Sequence, residues 1–102
     1  MIQTEFAMPG SCDFKRVERT VERLCRARGL LMALKGSLSQ YPGSIHWYFK
    51  KERQKGTLEI TLYPTKSRLW SKVQAGRKAQ WIDETLPDLK KDLEAEFSKC
   101  GT

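Results

Sequence analysis

The chain has a single histidine, His46, which follows Gly43-Ser44-Ile45. An imidazole changes charge near neutral pH, so His46 is the first residue to weigh as a general acid or base. Ser44 and Glu59 are its nearest companions for a nucleophile or an orienting group. They do not complete a nucleophile–base–orienter set, so no catalytic residue is assigned and no independent enzymatic activity is expected. Asp83 and Glu84 suit the positive end of a helix dipole, and nothing else beside them supports a metal role. Cys12, Cys25 and Cys100 are odd in number and widely spaced, and none lies near His46 in the sequence. Neither a zinc site nor a disulfide framework is expected from that spacing. No cofactor is implied.

Binding chemistry has a stronger basis. The net charge is +7, and it is unevenly spread. Residues 50–78 hold nine basic and two acidic side chains, whereas residues 79–102 hold three basic and six acidic ones. A concentrated basic segment is the electrostatic footprint of a polyanion binder. Lys50, Lys51, Arg53, Lys55, Arg77 and Lys78 are the candidate phosphate contacts. Tyr48, Tyr63 and Trp70, with Lys72 beside them, are the candidate base-stacking residues. The competing reading of the same aromatics is a cross-strand cluster or a protein-binding surface.

The elements that must position these residues begin with Gly43–Tyr63. Ile45, Trp47 and Phe49 alternate with His46, Tyr48 and Lys50, and Leu58, Ile60 and Leu62 alternate with Glu59 and Thr61. Period-two alternation predicts two strands with one buried face, joined by the polar turn ending at Gly56. Residues 68–74 predict a third strand, with Leu69 and Val73 on the buried side. Phe14, Val17, Val21 and Leu24 mark a helix capped by Ser11 or Asp13. Its arginines predict a solvated face, supported by Glu18–Arg23 and Glu22–Arg26 pairs. Residues 30–34 are strong helix formers without a β-branched side chain, so one long helix over 13–35 is favoured, with a fourth strand as the alternative. A last helix is expected from about Arg77, with Trp81, Ile82, Leu86, Leu89, Leu93 and Phe97 as its apolar stripe. Pro87 is expected to kink or split it, with Thr85 and Asp88 capping the restart. Residues 1–12 carry no periodicity and are expected to be a flexible lead-in to one domain over 13–102.

The expected fold is an α+β two-layer α-β-β-β-α sandwich: an antiparallel meander with both helices on one face and the other face open. That order is shared with double-stranded RNA-binding domains, a fold-level analogy. Over four residues, the histidine after Gly43-Ser44 resembles HicA-type mRNA-cleaving toxins, which would imply RNA cleavage dependent on His46. The likeness ends there, and the chain is not assigned to that family. The expected function is nucleic-acid binding, of RNA before DNA, through phosphate contacts and aromatic stacking. The alternative is a protein-interaction or self-association module. No apolar run reaches membrane-spanning length and no signal-peptide core is visible, so no membrane partner and a reducing cytoplasm are expected.

Overall fold

A computed structural model describes residues 2–10 and 12–99. Strand β1 (Ile2–Phe6) leads into helix α1 (Phe14–Ala27). Strands β2 (Leu30–Leu38), β3 (Tyr41–Lys51), β4 (Leu58–Tyr63) and β5 (Arg68–Val73) follow as a meander, and helix α2 (Gln80–Phe97) closes the chain. The five strands form one antiparallel sheet in the order β1-β5-β4-β3-β2. The architecture is the expected α+β sandwich, with more strands than the residue patterns predicted.

The central meander obeys its alternation. Trp47, Phe49, Leu58, Ile60, Leu62, Leu69 and Val73 are buried in one core with Val17 and Val21 of α1 and Trp81, Ile82, Leu89, Leu93 and Phe97 of α2. Burying such side chains contributes roughly 1.5–3 kcal/mol each before conformational entropy is subtracted. Two indoles anchor the layers by hydrogen bonds. Trp47 Nε1 donates to Glu22 of α1 at 3.0 Å, and Trp81 Nε1 donates to the Lys55 carbonyl at 2.7 Å.

Three expectations are corrected. The long helix over 13–35 does not form: α1, capped by the Asp13 carboxylate on the Lys15 amide, stops at Ala27. Gly29 takes φ +78°, a left-handed conformation that ends a helix at little cost in glycine. Leu30–Leu38 then pairs with β3, because ladder hydrogen bonding along β3 outweighs a helix preference of a few tenths of a kcal/mol per residue. As a result Glu18 and Glu22 bind Lys35 of β2, each at 2.5 Å, in place of the predicted arginine partners along the helix. The N-terminal segment is not a loose lead-in: Ile2–Phe6 pairs with β5 from Ile2↔Val73 to Phe6↔Leu69, and Phe6 is buried. Finally, the last helix is not split: α2 runs as one element through Pro87 and starts at Gln80, after a 3₁₀ turn at Ala75–Arg77. With β1 first and β2 inserted, the order is no longer that of double-stranded RNA-binding domains, and the analogy lapses. Ser11 and Cys100 lie outside the described residues.

Candidate nucleic-acid interface

The face of the sheet away from the helices was expected to lie open. Its centre is closed. On β4 both sides are buried: Leu58, Ile60 and Leu62 toward the helices, Glu59 and Thr61 on the other side. The cover is the β2–β3 hairpin end. Irregular register between Met32/Leu34 and Gly36/Leu38, and Gly43 at φ +81° inside β3, bend this ribbon. Tyr41 thereby meets Tyr63 at 5.2 Å and Trp70 at 5.1 Å between ring centroids, both edge-on.

Beneath this cover lies a connected polar network. His46 Nδ1 is 2.6 Å from Thr61 Oγ1, and His46 Nε2 is 3.1 Å from Glu59 Oε1. With Nε2 donating to the Glu59 carboxylate oxygen, Nδ1 is left to accept from the Thr61 hydroxyl. The other carboxylate oxygen, Glu59 Oε2, accepts from Gln74 Nε2 at 2.8 Å and sits 3.5 Å from Arg77. Burial lowers the His46 pKa below its ordinary value, outweighing the opposite pull of Glu59. A neutral imidazole with both nitrogens engaged has no lone pair to offer a substrate. Ser44 is buried, and its hydroxyl accepts from the Leu38 amide at 3.1 Å.

The aromatic candidates fare unequally. Trp70 is buried, with the Arg68 guanidinium 4.4 Å from its ring centroid and Tyr41 against it. Arg68 is itself held by Glu5 of β1. No face of this indole is free to stack a base, which corrects its assignment as an exposed platform. Tyr48 and Tyr63 are half-buried. Tyr48 carries Arg77 over its ring at 5.3 Å and His46 edge-on at 5.1 Å.

The basic candidates gather at one end of the sheet. The Thr57 amide donates to the Arg77 carbonyl at 3.1 Å, and Trp81 binds Lys55, so the β3–β4 turn and the β5–α2 connection are fastened together. Gly56 sits in the seam at φ +103°, where an added Cβ would lie 2.5 Å from Ala79 Cβ. Lys51, Arg53, Lys55, Arg77 and Lys78 share this end, with Lys50 on the adjoining stretch of β3. Among the described residues Lys50, Lys51, Arg53, Lys55, Lys72 and Lys78 have no acidic partner, whereas Arg77 is paired to Glu59.

Sequence reasoning missed Gln3, Gln40 and Tyr41. They join Tyr48, Trp70, Lys72 and Gln74 around a concavity of about 200 Å³ on this face. Gln3 was hidden because β1 has no periodic signal, and Tyr41 because Tyr41-Pro42-Gly43 reads as a turn. Among the described residues no group of His, Cys, Asp and Glu could hold a metal ion, and no helix is long and apolar enough to cross a membrane. Cys12 is disulfide-bonded, where the spacing of the cysteines led to the expectation of no disulfide framework. Cys25 is a free, buried thiol whose pKa is pushed up to about 12 by burial and by Glu22. No family model, curated protein or solved structure matches this chain.

Proposed function

We propose that the protein is a nucleic-acid-binding domain that acts first through the phosphate backbone, with RNA as its principal target. The observation that carries this reading is the end of the sheet where five unpaired cations, Lys50, Lys51, Arg53, Lys55 and Lys78, meet. Unpaired like charges repel, and a polyanion that neutralises them gains both Coulomb energy and released counterions. Two backbone-directed hydrogen bonds hold the participating loops together, so the cations are positioned before the ligand arrives. Stacking is a smaller component than residue types suggested, because Trp70 is covered and Tyr48 already lies under Arg77.

The test is fluorescence anisotropy with labelled single-stranded RNA, single-stranded DNA and duplex across a salt series. Affinity is expected to fall with a log–log slope of about −0.7 per phosphate neutralised on single strands. Replacing Lys51, Arg53 and Lys55 together with glutamine should lower affinity and slope on every sequence alike. Absence of binding to all three ligands at low salt rejects the reading.

A second reading, self-association, is favoured by β2. This edge strand exposes Leu31, Met32 and Leu34, and its only charge, Lys35, is neutralised by Glu18 and Glu22. An unpaired edge without free charges is a template for a further strand.

A further inference from the structure

The concavity on the second face lies next to the basic end, and its lining differs from that end in kind. We infer that it receives one unstacked nucleobase of the bound strand, an inference that rests on the phosphate-binding reading above. Tyr41, Tyr48 and the edge that the covered Trp70 leaves are among its lining residues, together with Gln3 and Gln40. Carboxamides present donors and acceptors together, which is what the Watson–Crick edge of a base requires. About 200 Å³ is room for a single base and its first contacts, not for a stack.

The polar floor is already satisfied. Glu59 is engaged by His46, Gln74 and Arg77, so a ligand need not neutralise a buried carboxylate. The rim is not. Lys72 stands opposite Glu59 on β4 and Gln3 on β1, is half-buried, and makes no ion pair among the described residues. An ammonium at the mouth suits a base that remains attached to its phosphate. Arg77 links the two regions physically: it contacts Glu59 under the concavity, covers Tyr48 at its wall, and shares its backbone carbonyl with Thr57 at the basic end. A strand held by its phosphates at Lys50 and Lys78 therefore passes the mouth.

The experiment compares a natural single-stranded oligonucleotide with an abasic one of equal length, on the wild type and on Lys72→Met and Gln40→Ala. The natural strand is expected to bind about tenfold more tightly, the lower range for one base held against aromatic side chains. Gln40→Ala should erase most of that difference while leaving the abasic affinity within about twofold, whereas Lys72→Met should weaken both strands by about one phosphate contact and reduce the difference besides. Equal affinity of the wild type for both strands, or losses equal on both, overturns the inference. A second measurement is independent of the polymer: NMR titration with the four nucleoside monophosphates, following the Trp70 indole N–H and the Tyr48 amide. Saturable shifts at these two signals, lost in Gln40→Ala, are expected. If neither strand binds at low salt but the shifts appear, the phosphate reading falls and the base site stands. If strands bind but no shift and no abasic difference is seen, the base site falls alone.

Discussion

His46 illustrates how burial converts a chemically versatile side chain into a structural one. Its ring bridges β3 and β4 through Glu59 and Thr61, and burial holds its pKa below that of the unfolded chain. The sign of the linkage follows directly. Above about pH 6.5 both native and unfolded chains hold the imidazole neutral, and the native contacts contribute in full. As pH falls through 6.5 the unfolded chain takes up a proton that the native protein refuses, so stability is lost down to the lower native pKa. Urea unfolding at pH 7.5 and 5.5 should therefore show a drop for the wild type that is reduced in His46→Gln. An equal drop in both proteins would show that other groups govern this window. The same substitution should leave phosphate binding intact, since His46 faces the interior of the sheet's cover and not the basic end.

At the scale of elements, what was legible depended on whether a local pattern had a rival. Strands β3, β4 and β5 were legible because alternation of large apolar residues with polar ones fits no other element. Residues 30–38 were not, because Leu30-Leu31-Met32-Ala33-Leu34 suits a helix by propensity and becomes a strand only by pairing with β3. Strand β1 was illegible because five residues at a chain end show no period. The basic cluster was half-legible: its residue types were plain, but the seam joining Lys55 to Trp81 and Thr57 to Arg77 is a tertiary fact. Trp70 misled because an indole on the polar side of a strand reads as exposed, and only the bent β2–β3 ribbon brings Tyr41 over it. The exposed β2 edge supplies the prediction at this scale. Sedimentation velocity should show a reversible dimer that Leu31→Lys with Leu34→Lys dissociates, the added charges opposing strand-to-strand association. A wild type that stays monomeric at high concentration eliminates self-association through β2.

Across the whole molecule, ion pairs fasten the two helices together, with Arg28 bound to Asp92 at 2.6 Å and Arg23 near Glu96 at 3.7 Å. Among the described residues Lys15, Arg16, Arg19 and Arg26 of α1 share with the cations at the sheet's far end the lack of an acidic partner. The chain's order in the sheet also has a kinetic side. Strands β2 to β5 pair with sequence neighbours across short turns, whereas β1 must find β5 across α1 and the three intervening strands. Loop-closure entropy makes such a nonlocal contact late to form and early to open. Hydrogen exchange should register this as amides of Ile2–Phe6 opening at a free energy roughly 2 kcal/mol or more below that of β3 and β4. Uniform protection across all five strands would contradict it. Phe6 in the core and the Ala7 amide bound to Glu94 at 2.7 Å are the latch that this opening must release. While it is released, β5 becomes an edge like β2, and the sheet is briefly bare on both flanks. In that interval a neighbouring molecule's Ile2–Phe6 fits the vacated groove as well as the molecule's own, which makes strand exchange between copies a matter of concentration.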